Sequence, residues 1–333
     1  MPLARALSRI DRFLAAILLT VAFASIVPVR GEAAQAAGWL TNTAIMLLFF
    51  MHGARLSRPA ALAGARHWRL HLVVFLSTFV LFPLLVATAR LVAPQLLPPQ
   101  LWGGLILLSA LPSTIQASIA FTSVAGGNVS AAMCSASASN LLGTVLAPLI
   151  AGLLLAGSVP LSVHAVLTVV LELLVPFLAG QCLQPWIGAV LTRHPRALKS
   201  VDYGSILLIV YTAFSEGVVS GIWHQVGVAQ LLRVVLLDAG LLALVMTVLT
   251  FGSRWLGFSR ADEIAIVFCG SKKSLASGMP IATVLFAGHV GLTIIPMMLF
   301  HQIQLMVCAS LARRYAGQKD SAESVAGLSA VRS

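Results

Sequence analysis

The chain has 333 residues, of which 59% are hydrophobic and only 9% are charged, with a mean hydropathy of +0.97. A soluble globular domain carries about 25% charged residues, so this composition excludes a water-soluble fold and predicts an all-α polytopic membrane protein. The net charge of +11 does not indicate nucleic-acid binding, because the lysines and arginines fall in short clusters between apolar runs.

Ten apolar runs are long enough to cross a bilayer, since a transmembrane helix needs about 20 mostly apolar residues. In chain order they are 12–29, 38–54, 68–93, 101–124, 129–156, 162–185, 202–222, 229–252, 261–287 and 290–312. With the N-terminus in the cytoplasm, 16 of the 21 lysines and arginines lie on the cytoplasmic side, as the positive-inside rule requires. The sequence therefore predicts a multi-pass protein of the inner (plasma) membrane, with both termini cytoplasmic and a disordered tail over 316–333. A cleaved signal peptide is the alternative for the first run, but its removal would leave an odd number of spans.

An offset of 161 positions relates the two halves of the chain. Three residue pairs show it at polar interruptions of apolar segments: Asn128 with His289, Pro112 with Lys273, and Asn140 with His301. Five spans per half is an odd number, so the second half would enter the membrane from the opposite side. We predict a single transporter domain of two inverted repeats, about 12–156 and about 162–313, which is an architecture of secondary transporters.

The fourth predicted span is interrupted at Pro112, where proline removes a backbone donor and clashes with the preceding turn. Ser113, Thr114, Gln116 and Ser118 follow and can satisfy the freed backbone groups. On this segment alone, a simple proline kink is an equally good interpretation.

The ninth predicted span has Lys272 and Lys273 near its middle, between Ser271 and Ser274. Two lysines at this depth cost roughly 5–7 kcal/mol on insertion scales, which about cancels the gain from a dozen flanking apolar residues. The two lysines must therefore face a cavity or a partner. The alternative places both in a loop between spans, which would break the charge count of the loops.

Three stretches of the sequence together resemble the bile acid:sodium symporter family, in its branch with the orphan seventh human member and bacterial homologues. They are residues 112–118, the turn Gly127-Asn128-Val129, and residues 270–276, which read Gly-Ser-Lys-Lys-Ser-Leu-Ala. The resemblance covers nearly the whole chain. It implies a core domain of spans 3–5 and 8–10, a panel domain of spans 1, 2, 6 and 7, and crossing broken helices four and nine.

The residues at the implied sodium sites differ from those of the sodium-coupled members. Those members have an acidic residue and a Gln-Asn pair in helix nine and two hydroxyl side chains in helix five. This sequence has instead Phe268, Lys272-Lys273, Ala132 and Ala136. The Ser-Asn pair of helix four remains only as Ser118. Sodium coupling therefore does not follow from the resemblance.

We predict that one lysine ammonium occupies the place that sodium fills in relatives, donating to carbonyls and side chains that include Ser113, Thr114 and Ser118. The other lysine would face the cavity and attract an anionic group. Because burial favours the neutral form of a lysine, H⁺ and Na⁺ are both candidate coupling ions.

Two further helices contribute candidate site residues. Ser135, Ser139 and Asn140 share one face of span five, where close packing by small residues is an equally good interpretation. His301, Gln302 and Gln304 in span ten line the cavity or form hydrogen bonds between helices. For Glu216 and Asp238 the sequence favours interfacial solvation, and for Glu172 a structural partner in the membrane.

The predicted function is secondary active transport of a small organic anion by alternating access. The alternative is a regulatory membrane protein that binds an anion or a lipid without transporting it. The sequence has no catalytic motif and no metal-ligand spacing, so we expect neither an enzyme nor a cofactor. The expected partners are the anionic substrate and the lipid bilayer, with the chain acting as a monomer or a homodimer.

Overall fold

The structure is a computed structural model that describes residues 12–55, 67–155, 175–219, 221, 227–286 and 290–330. Over these ranges the regular structure is helical and no β-strand occurs. The helices are α1 (Arg12–Ile26), α2 (Gly31–Arg55), α3 (Trp68–Val92), α4 (Pro99–Ala110), α5 (Ile115–Val124), α6 (Val129–Leu155), α7 (Val175–Arg193), α8 (Pro195–Val219), α9 (Val228–Trp255), α10 (Arg260–Gly270), α11 (Leu275–Leu285) and α12 (Val290–Ala330).

Five of these helices are long and apolar enough to cross a membrane. They are α2, α3, α6, α9 and the first 27 residues of α12. Large apolar side chains, among them Leu91, Trp186 and Trp255, cover much of the outer surface. These features confirm a multi-pass helical membrane protein. The count of ten spans stays a prediction, since most of the predicted sixth span lies outside the described residues.

The fourth predicted span is divided into α4 and α5 by the extended segment 111–114. Proline disfavours the α conformation of the residue before it, and Leu111 accordingly has an extended backbone, with φ −65° and ψ 149°. Thr114 is also extended and begins α5. The sequence predicted this interruption correctly at Pro112.

The ninth predicted span is divided into α10 and α11 by residues 271–274. The helix α10 ends at Gly270, and Ser274 is extended, with φ −85° and ψ 107°. The Ser274 hydroxyl accepts a hydrogen bond from the backbone N–H of Ser277, which caps α11. The two lysines therefore lie in non-helical backbone between two apolar half-helices.

The helices pack in two groups. In the first, α2 lies against α7, and α8 packs on α1 and α2. Glycine allows the close approach of α2 and α7, because a Cβ atom at Gly53 would lie 2.0 Å from the carbonyl oxygen of Phe177. The second group contains α3 to α6 and α9 to α12, and α8 also contacts α11 and α12. Both interrupted spans therefore belong to the second group.

One end of the second group is fixed by a polar network where α10 begins. The buried Glu263 carboxylate accepts hydrogen bonds from Arg254 and Arg260. Asn128, in the turn between α5 and α6, donates to the Asp262 carboxylate, and its backbone N–H donates to the Ala261 carbonyl. This network holds α10 against α9 and against the end of α5, which positions the break that follows α10.

The last helix differs from the predicted disordered tail, because α12 continues to Ala330. The segment after residue 316 contains no proline, so no residue in it forces an end to the helix that the preceding span has nucleated.

Candidate functional site

Residues 111–114 and 271–274, which we call the first and the second break, contact each other inside the second helix group. The Ser274 backbone N–H donates to the Pro112 carbonyl at 2.8 Å, and the Thr114 hydroxyl donates to the Lys273 carbonyl at 2.9 Å. Unwound backbone in a membrane must have its polar groups satisfied by protein or water. Each break therefore satisfies polar backbone groups of the other. We call the place where the two breaks meet the crossing.

The Lys273 ammonium is enclosed by three backbone carbonyl oxygens. Its Nζ atom lies 2.7 Å from the oxygen of Thr78, 2.6 Å from that of Ser109 and 2.9 Å from that of Leu111. The Phe82 ring covers it, with the ring centroid 4.2 Å from Nζ. An ammonium has three donors and no acceptor, so all of its hydrogen-bonding capacity is used. We call Nζ and its three carbonyl oxygens the Lys273 cage.

Local backbone geometry explains why the three carbonyls are available. Ser109 and Leu111 lie at the C-terminal end of α4, where carbonyls have no partner within the helix and the helix dipole is negative. Thr78 lies in the π-helical turn Ser77–Leu81 of α3, in which the Phe82 N–H bonds to the Ser77 carbonyl five residues earlier. The cage therefore combines a helix terminus with a wide turn, and both attract a cation.

Gln304 of α12 binds the backbone of Lys273 on both sides. Its side-chain oxygen accepts from the Lys273 N–H at 2.9 Å, and its amide nitrogen donates to the Lys273 carbonyl at 2.9 Å. The same amide nitrogen lies 3.0 Å from Nδ1 of His301. This contact fixes the lysine backbone and directs its side chain into the cage.

Lys272 is equally buried but has very different surroundings. Its Nζ atom lies 3.9 Å from the ring centroid of Phe121 and 5.7 Å from that of Phe268. The thiols of Cys269 and Cys308 are also close. Within the described residues Nζ has no hydrogen-bonding oxygen or nitrogen partner. The structure thus differs from the prediction that the second lysine faces a cavity, because aromatic rings cover it.

The hydroxyl groups after Pro112 bind protein atoms of the breaks rather than the ammonium. The Ser113 N–H donates to the Ser139 hydroxyl at 3.0 Å, and the Ser113 and Ser118 hydroxyls are 3.2 Å apart. Ser118 also donates to the Phe268 carbonyl at the end of α10. The cage partners that the sequence predicted are thus replaced by backbone carbonyls, and the serines join α4, α5, α6 and α10 around the crossing.

The other predicted site residues lie around this crossing or at some distance from it. Ser135 is hydrogen bonded to His71 of α3, and Asn140 accepts from the Ser277 hydroxyl of α11. The Ser271 hydroxyl donates back to the Val267 carbonyl within α10. The side chain of Gln116 lies outside the part of the chain that the structure describes.

Four further polar residues were placed in the membrane by the sequence. Glu216 is exposed, whereas Asp238 differs from its predicted interfacial position because it is fully buried. The side-chain oxygen of Gln302 is buried and has no hydrogen-bond partner among the described residues. Glu172 lies outside the described residues.

Sequence reasoning missed Thr78 and Ser109, and it named Gln304 without its contact to the Lys273 backbone. The first two contribute only backbone carbonyls, for which no side-chain pattern exists. A signal for Gln304 was present, since the offset of 161 pairs it with Gly143, and a Cβ atom at Gly143 would lie 2.5 Å from Pro112. The helices α6 and α12 therefore contact the first and the second break at positions that are equivalent in the two halves.

The apolar helices, the two contacting breaks and the enclosed ammonium define a multi-pass membrane protein of the transporter class. The chain belongs to the SBF-like CPA transporter family, whose family model matches residues 11–317.

Relatives align with nearly the whole chain. An uncharacterized protein of Pseudomonas aeruginosa is 53% identical over 94% of this chain and 95% of its own length. The putative symporter YfeH of Escherichia coli is 52% identical over 93% of this chain and 94% of its length. Sodium/bile acid cotransporter 7 of Xenopus tropicalis is 28% identical over 90% of both chains.

Proposed function

We propose that this chain is a secondary carrier that moves a small organic anion across the inner membrane by alternating access, with the Lys273 ammonium in place of a sodium ion. The observation that carries the proposal is the Lys273 cage at the crossing of two interrupted spans. Discontinuous helices that meet inside the membrane are typical of the substrate sites of secondary transporters.

The helix bounds support two repeated halves. The first residues of α4 and α10, Pro99 and Arg260, are 161 positions apart, and so are those of α6 and α12. The last residues of α5 and α11, Val124 and Leu285, have the same separation. Three bounds with one offset favour duplicated halves, which in turn supports ten spans divided into a core of spans 3–5 and 8–10 and a panel of spans 1, 2, 6 and 7.

The chemistry of the cage supports a tethered cation. Carbonyls of unwound backbone and of half-helix C-termini are the groups with which transporters bind Na⁺. Here they contact Nζ at 2.6–2.9 Å, so the cation belongs to the chain itself. Such a cation stabilises the carbonyls permanently, and transport then needs no sodium ion at this position.

The anion would bind where α5 and α11 begin. Both half-helices start at the breaks, at Ile115 and Leu275, so their positive dipole ends lie at the crossing. Polar groups of Asn140 and Ser277 lie beside the start of α11. This arrangement recognises an anionic head group and leaves the apolar remainder of the substrate to the facing helices.

The test is counterflow in liposomes that contain the purified full-length protein. A panel of small carboxylates and sulfonates is assayed in sodium-containing and in choline-containing buffer. We expect saturable counterflow of one or more anions that persists without sodium. It should fall to the level of empty liposomes in Lys273→Met and stay at the wild-type level in Arg314→Met, which removes an exposed charge far from the breaks.

Strict sodium dependence of the wild-type protein would contradict the role of Lys273. Saturable binding of an anion in a thermal-shift assay, without counterflow of that anion, would instead favour the regulatory alternative. An unchanged rate in Lys273→Met would remove the cage from the transport mechanism.

A further inference from the structure

Asp238 is a buried carboxyl group that the proposed anion site does not use. Its side chain is 0% exposed, and neither oxygen has a hydrogen-bond partner among the described residues. It lies ten residues after the start of the 28-residue helix α9, which is about 15 Å along the helix axis and well inside this apolar span. A carboxyl group at this depth is rare and needs an explanation.

The face of α9 that carries Asp238 packs against the end of α10, next to the second break. Asp238, Leu242 and Leu249 are all buried on this helix, at spacings that place them along one side. A Cβ atom at Gly270, the last residue of α10, would lie 2.8 Å from the Leu249 side chain. The helix α9 therefore contacts α10 directly before the break that contains Lys273.

The repeat offset relates Asp238 to a residue at the second break. Ser77 lies 161 positions earlier, and its hydroxyl donates to the Gly270 carbonyl at 2.9 Å. The position equivalent to Gly270 is Ser109, whose carbonyl is part of the Lys273 cage, with the same offset. By this correspondence, which rests on the proposed function, Asp238 lies on the side of α9 directed towards the cage.

The neighbouring helices provide no ion pair for this carboxyl group. The titratable or charged side chains of the elements packed against α9 are Arg69, His71 and Arg90 on α3, Arg260, Asp262 and Glu263 on α10, Lys272 and Lys273 in the break, and His301, Arg313, Arg314 and Tyr315 on α12. None of these described residues forms a hydrogen bond or ion pair with Asp238. An unpaired carboxylate in an apolar interior is far costlier than the neutral acid. The enclosed conformation therefore favours the protonated side chain.

We propose that Asp238 is the proton-binding site that couples transport to a proton gradient. The carboxylate takes up one proton from the water on one side of the membrane as the helices close over it, and it stays a neutral acid while it is enclosed. It releases that proton to the water on the other side when the opposite conformation exposes the group there. Since Lys273 is a fixed cation, the coupling ion of the cycle is then the proton that Asp238 carries.

The first test measures the carboxyl group itself and does not depend on a substrate. Infrared difference spectra of the full-length protein in lipid nanodiscs are recorded as the pH is raised from mildly acidic to alkaline values. We expect a protonated-carboxyl band at neutral pH that is lost at alkaline pH, absent in Asp238→Asn and retained in Glu216→Gln. The same band in Asp238→Asn as in the wild type would overturn the proposal.

The second test separates this proposal from the transport function. In sodium-free liposomes, an inward proton gradient should raise wild-type uptake of the counterflow substrate above its gradient-free level. Asp238→Asn should keep counterflow but lose the response to the gradient, whereas Glu216→Gln keeps both. A gradient response in Asp238→Asn would overturn the coupling role alone. Absence of counterflow in the wild type would overturn the transport function and the coupling role together, while the infrared band still reports proton binding.

Discussion

Lys272 and Lys273 are neighbours in the chain and are equally buried, yet their ammonium groups occupy opposite environments. Lys273 Nζ donates to three carbonyls, whereas Lys272 Nζ lies over the ring of Phe121 without an oxygen or nitrogen partner among the described residues. Because the break is not helical, consecutive side chains leave it in different directions. The difference teaches that burial alone does not define an ion site, since free carbonyls hold only one of the two buried lysine side chains.

Replacing each lysine by methionine should give the largest difference in stability between the two positions. Lys273→Met keeps the apolar stem but leaves three buried carbonyls without a donor, so we expect a loss of about 3–5 kcal/mol in the free energy of unfolding. Lys272→Met should change it by less than about 1 kcal/mol, because the lost cation–π contact is offset by the smaller cost of burial. Reversible unfolding in mixed micelles measures both values.

The smaller variant Lys273→Ala sharpens the same point, because it leaves room for an ion among the carbonyls. Added NaCl should raise its melting temperature relative to choline chloride at equal ionic strength. Wild type and Lys272→Ala should show no such difference. Equal responses of all three proteins would mean that the cage is not a cation site.

Removing the side chain that holds the Lys273 backbone should have an intermediate effect. Gln304→Ala loses two hydrogen bonds and leaves a buried N–H unsatisfied, so we expect about 2 kcal/mol of destabilisation. Gln302→Ala is the matched control, because its side-chain oxygen has no partner in the described part of the chain. A larger loss in Gln302→Ala than in Gln304→Ala, measured by the same unfolding assay, would contradict this assignment.

The smallest expected effect tests whether Lys272 is charged. A double-mutant cycle of Lys272→Met and Phe121→Leu isolates the coupling across their 3.9 Å contact. A charged lysine predicts a coupling energy of about 1 kcal/mol, whereas a neutral amine predicts a value near zero. We expect about 1 kcal/mol, because only a cation interacts strongly with the ring face, and a value near zero would contradict a charged Lys272.

The interruptions of the helices were readable in the sequence because their causes are local. Proline at 112 removes a donor and restricts Leu111, and two lysines amid apolar residues cannot continue an ordinary span. The serines after Pro112 lie beside the first break and bind protein atoms there. Their partners were not predictable, because Ser118 donates to a carbonyl 150 positions away in the chain.

By itself, the sequence determined the membrane class, the position of both breaks and the offset that relates them, since composition, proline and charge act locally and repeat regularly. Only the tertiary structure decided which lysine is held by carbonyls and which lies against aromatic rings. The reason is physical: the cage consists of backbone oxygens from α3 and α4, and every residue type carries the same carbonyl. Its availability depends on a π-helical turn and a helix end brought together by packing.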